Sequence, residues 1–105
     1  MTRSPRHTKR DAERSLLVWR HIKCRLTETR DVLQPGWTQL EIDVVSPKGA
    51  PLPITDTGYL AHYIDADELA ATGGIAEFFT AWLDREAATK RYVNAEFRWR
   101  QLLLL

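Results

Sequence analysis

"IKCRLTET", residues 22–29, decides how the first third of this chain is read. Apolar and polar side chains alternate through Ile22, Cys24 and Leu26, the period of a half-buried strand. A wider window points the other way. Leu16, Trp19, Ile22, Leu26 and Leu33 recur at helical steps, with Arg14, Arg20, Lys23, Arg25 and Arg30 mostly elsewhere. The expectation is a helix over residues 10–33, with a strand near 21–29 as the alternative.

The remainder is more sharply punctuated. "QPGW", residues 34–37, is a turn. "TQLEIDVVS", residues 38–46, alternates strictly: Leu40, Ile42 and Val44 share one side, Gln39, Glu41 and Asp43 the other. That is a half-buried strand. Three prolines and a glycine make residues 47–53 a rigid loop. "TGYLAHYI", residues 57–64, is a second strand that pairs antiparallel with the first. In "DADE", residues 65–68, Asp65 caps a short helix and Glu68 can reach back to its amide. Gly73-Gly74 ends that helix. Ile75, Phe78, Phe79, Trp82 and Leu83 then form a full apolar stripe, which breaks near Thr89. A last helix spans about residues 90–101. The fold expected is α+β: a small antiparallel sheet of two or three strands, packed by an N-terminal helix and two or three C-terminal helices. Residues 1–9 are expected to be a disordered basic arm and residues 10–105 a single domain.

Composition bounds the function classes. The chain has 105 residues, 44% of them hydrophobic and 28% charged, enough for a core without metal or disulfide staples. Its four tryptophans suggest a core or interface built on large rings. Cys24 is the single cysteine, which fits a reducing interior. The basic start leads to only four apolar residues in a row, Leu16 to Trp19, too few for a signal peptide or a membrane span. The expectation is a cytoplasmic protein with no membrane partner.

Net charge is +1, yet charge is sorted along the chain. Residues 1–30 hold nine Lys/Arg against three Asp/Glu, residues 31–86 two against ten, and residues 87–105 four against one. Such blocks mark candidate partner surfaces. Arg3, Arg6, Lys9, Arg10, Arg14, Arg20, Lys23, Arg25 and Arg30 could track a phosphate backbone, with DNA as the partner. The bland reading has them solvated or paired with acidic neighbours.

Catalytic vocabulary is sparse. His62, Asp65, Asp67 and Glu68 are metal-ligand types, but capping explains two of them and His62 falls on the apolar strand face. His21 and Cys24 form an H-x-x-C step without two further ligands. No G-x-S-x-G, H-E-x-x-H or dinucleotide fingerprint appears. No cofactor or metal is expected, and an enzyme using His62 is the third-ranked reading.

The chain ends on "QLLLL". These residues resemble the short peptide by which many bacterial proteins bind the DNA polymerase sliding clamp. Gln101, Leu102, Leu104 and Leu105 match, while Leu103 departs where a polar residue is usual. The resemblance implies that Gln101 anchors a polar subsite and that Leu104 and Leu105 fill an apolar pocket. The alternative is a final helical turn whose leucines close the core. In addition, "GWTQLEIDVVSPKG", "PITDTGY" and "EFRWRQL" resemble small accessory proteins of alphaproteobacterial plasmids and mobile elements. That likeness covers about residues 36–100 and implies DNA maintenance, replication or defence without an established activity.

The leading expectation is a non-enzymatic binding module working on or near DNA. The alternative is an inhibitor or regulator of a host protein, of anti-restriction or anti-CRISPR type. It would act through the acidic middle, Glu41, Asp43, Asp56, Asp65, Asp67, Glu68 and Glu77. A homodimer is compatible with either.

Overall fold

The computed structural model describes residues 12–104. Among them, four strands form one antiparallel sheet in sequence order: β1 (Ala12–Trp19), β2 (Ile22–Arg30), β3 (Trp37–Ser46) and β4 (Tyr59–Asp65). Three helices follow, α1 (Ala66–Thr72), α2 (Ile75–Glu86) and α3 (Lys90–Leu103).

The fold is α+β, but the expected N-terminal helix and the two- or three-stranded sheet are both corrected. Residues 12–30 are a hairpin, and every helix of the described residues lies C-terminal to the sheet. The helical spacing has a simple origin. A two-residue turn places residues i and i+3 opposite each other, and Trp19 pairs with Ile22 across it. Their three-residue step therefore imitates one turn of a helix. The outlying members of the supposed stripe, Leu16 and Leu33, are 63% and 68% exposed and take no part in the core. The alternation from Ile22 to Leu26 was the correct signal.

Pairing fixes two faces. Trp19 and Leu17 on β1 stand level with Ile22 and Cys24 on β2. Leu26 faces Ile42 on β3, which faces Leu60 on β4. One face thus carries Trp19, Ile22, Cys24, Leu26, Leu40, Ile42 and Ile64, all buried. The helices cover this face, with Leu69 of α1, Phe79 and Leu83 of α2 and Tyr92 of α3 buried in the same core. The stripe of α2 packs as its spacing predicts. His62 lies on the inner side of β4, stacked on Phe78 at 5.3 Å and edge-on to Trp82 at 5.2 Å.

Local signals set the joints. Gly36 takes φ +89 in the turn after Pro35, and Trp37 N–H donates to the Gln34 carbonyl at 3.1 Å. That is the left-handed third position for which a Pro-Gly turn is suited. The Asp65 carboxylate caps α1 by accepting the Asp67 amide at 2.8 Å. Gly73 ends it at φ +100. Thr89, where the apolar stripe lapses, is the N-cap of α3 and accepts the Tyr92 amide. The proline loop after β3 is a core element as well as a connector. Ala50, Leu52 and Pro53 are buried, and Arg91 of α3 donates to the Pro53 carbonyl at 2.7 Å and to Asp56 at 2.8 Å.

Candidate functional site

The tip of the β1–β2 hairpin is where sequence and geometry disagree most. A two-residue turn of this kind needs positive φ at both central residues, and Asn-Gly is the usual solution. Here the positions are held by Arg20 at φ +49 and His21 at φ +75. A side chain in that region costs about 1 kcal/mol. The surroundings hold the turn in place. The Arg20 guanidinium sits 4.8 Å above the Trp19 ring. Trp19 is buried, touches Tyr92 at 5.9 Å, and donates its indole N–H to Asp84 at 2.8 Å. A deeply anchored ring thus fixes a cation at the exposed end of the sheet.

The other cations separate by register. Arg14, Lys23 and Arg25 point from the outer face, away from the helices. Arg25 stands 3.9 Å from Asp43. Arg30 is held by Glu13 at 2.9 Å and Glu28 at 3.6 Å. Arg14, Arg20 and Lys23 form no ion pair among the described residues. Arg3, Arg6, Lys9 and Arg10 lie outside the described residues.

The acidic middle does not gather into one surface. Glu41 and Asp43 lie on the outer face of β3. Asp65 caps α1, Asp67 and Glu68 occupy its first turn, Asp56 binds Arg91, and Glu77 begins α2. The Glu41 carboxylate accepts the Tyr59 hydroxyl, and this bond, with lesser burial and charge effects, pushes the phenol up to about 12.

A groove of about 260 Å³ opens beside the hairpin tip, between the proline loop and α3. Arg20, His21, Pro47, Tyr92, Trp99 and Arg100 line it. Burial foremost, then the Glu96 charge, raises the Tyr92 phenol. No pattern in the sequence joins these residues; only the fold brings positions near 20, 47 and 99 together.

As far as Leu104, the leucine run is neither a lid nor an extended peptide. Gln101 and Leu102 belong to the last turn of α3, and Leu102 and Leu104 are 65% and 81% exposed. Leu103 edges the groove, and Leu105 lies outside the described residues.

His21 and Cys24 do not meet. In a hairpin rather than a helix, His21 falls in the exposed turn and Cys24 on the strand in the buried core. Desolvation, followed by the nearby Asp43 charge, pushes the Cys24 thiol up to about 11, so it is not an activated nucleophile at neutral pH. No group of three metal-ligating side chains assembles among the described residues. Nor is any helix of the described residues long and apolar enough to cross a membrane.

These features define an α+β protein in which the described helices cover one face of the sheet, with a cationic hairpin and a charged outer face. The family is identified by a match to the KlcB third domain over residues 12–92, and the chain belongs to that family. The KlcB family is plasmid-associated, which makes this chain a plasmid-associated accessory protein. No curated protein and no solved structure matches the chain.

Proposed function

We propose that this KlcB-family chain is a non-enzymatic binding module that works on or near DNA in plasmid maintenance or replication. The supporting observation is the charge of the β1–β2 hairpin. Arg14, Arg20 and Lys23 have no carboxylate partner among the described residues, while Arg25 and Arg30 do. The free cations continue a run begun by Arg3, Arg6, Lys9 and Arg10 in the sequence. Each phosphate they neutralise releases counterions, which makes binding salt-dependent and largely indifferent to base sequence.

Fluorescence anisotropy with labelled duplex and single-stranded DNA over a salt series tests this. Affinity should fall steeply with salt. Replacing Arg14, Arg20 and Lys23 together by alanine should lower the log–log slope by about 2–3, at roughly 0.9 per phosphate contact. Replacing the ion-paired Arg30 should change it far less. A flat salt profile, or no binding at low salt, would sink the reading.

The exposed leucines favour a second contact, with a sliding clamp through Gln101, Leu102, Leu104 and Leu105. Such a contact requires the last turn of α3 to unwind into an extended peptide. Removing residues 101–105 should abolish clamp capture without changing the melting curve. Undiminished capture would eliminate the tail as the contact.

A further inference from the structure

The outer face of the sheet is uncovered by any described element, and its chemistry is divided down the middle. On β1 and β2 its charged residues are Arg14, Lys23 and Arg25, all positive; on β3 and β4 they are Glu41, Asp43 and Asp65, all negative. Apolar surface lies on both edge strands, as Leu16 on one and Tyr59 on the other.

We propose that this face is self-complementary, and that a second copy of the chain stacks on it about a twofold axis parallel to the strands. Such an axis keeps each cross-strand row at its own level and reverses the strand order. The basic half of one copy then covers the acidic half of the other. The row that carries Arg25 and Asp43 matches in detail. Leu16, Arg25, Asp43 and Tyr59 stand level across the sheet. Reversed on itself, that row sets Leu16 against Tyr59 and Arg25 against Asp43. One level along, Arg14 is in line with Ala61, so reversal sets the longest side chain of the row against the smallest. Stacked sheets lie about 10 Å apart, which long-over-short pairing fills without collision. A twofold axis perpendicular to the strands would instead lay cations on cations and carboxylates on carboxylates, an arrangement that like-charge repulsion rejects. The pattern therefore selects both the partner and its orientation.

The weak 3.9 Å contact between Arg25 and Asp43 leaves both groups about half exposed and free to bond across the interface. The hairpin tip lies beyond the Leu16 row. Because the axis runs along the strands, the dimer carries both tips at the same end with Arg20 exposed, whereas Arg14 and Lys23 lie on the covered face, so a second copy and DNA compete for them.

The test is a charge-swap experiment read by sedimentation at several concentrations and salt levels. The natural chain should be a salt-sensitive dimer. Arg25→Asp alone and Asp43→Arg alone should each weaken self-association at least about tenfold. Mixing the two variants should restore a one-to-one heterodimer, because opposite charges then meet across the interface. A purely internal role for the pair would not be rescued by mixing. If either variant fails to fold by circular dichroism, Leu16→Asp and Tyr59→Lys carry the same test within the same row. A natural chain that stays monomeric overturns the proposal, as does a dimer that survives both reversals or a mixture without rescue.

Discussion

The β1–β2 hairpin turns on two residues, Arg20 and His21; the β3–β4 hairpin turns on twelve, residues 47–58. The short turn holds nothing in the core and exposes its charge. The long one sends Ala50, Leu52 and Pro53 beneath the sheet and is tied to α3 by Arg91. Length and function have separated: the loop that looks like a linker is structural, and the turn that looks like part of an element is the exposed, strained one. Buried apolar contacts make the first costly to alter, whereas the second carries backbone strain that substitution can relieve.

The comparison breaks most readily at the long loop. Leu52→Ala should destabilise the fold by about 2–4 kcal/mol, since it removes a fully buried side chain from a packed site; denaturant unfolding measures this, and a loss below about 1 kcal/mol would return the loop to the status of a linker. The covered face of the short hairpin should show in alkali. The Cys24 thiol is raised from 9.0 to about 11, so the neutral form is the one the fold favours. Its stabilising contribution is complete below pH 9 and is lost as pH rises toward 11, a decline on the order of 2 kcal/mol. Melting curves over that range should drop for the natural chain and less steeply for Cys24→Val. Tyr59, raised to about 12, adds a decline of the same sign from pH 10 upward, which the Cys24 variant retains.

Arg91→Ala should cost about 1 kcal/mol, because the guanidinium is partly exposed but its bond to the Pro53 carbonyl is charge-assisted. The smallest effect has the opposite sign. His21→Gly should stabilise the chain by up to about 1 kcal/mol by relieving its left-handed backbone. A destabilised His21→Gly would mean that the imidazole makes contacts outweighing that strain.

Legibility in the sequence followed the same division. Alternation at Leu40, Ile42 and Val44 announced β3; Asp65 and the Gly73-Gly74 pair marked helix ends by capping chemistry that acts within a few residues, and the lapse of the apolar stripe marked the break that Thr89 caps. The first hairpin escaped because its turn contains no glycine, asparagine or proline, and because pairing across it reproduces a helical step. The cations were visible as a run, but their division into paired and unpaired was not. Whether Arg25 meets Asp43, or Arg30 meets Glu13, depends on strand register, a long-range property. The groove beside Trp99 had no local trace for the same reason.

Cys24 is the chain's single cysteine and is wholly enclosed, near the start of β2 at the next inward-facing position from the hairpin's tip. An alkylating reagent can therefore reach it only when the strand layer parts from the helices. Its modification rate is a built-in clock for that opening, readable by mass spectrometry without any engineered label. Run with DNA or a second copy bound, the same clock would report whether either ligand holds the first hairpin shut.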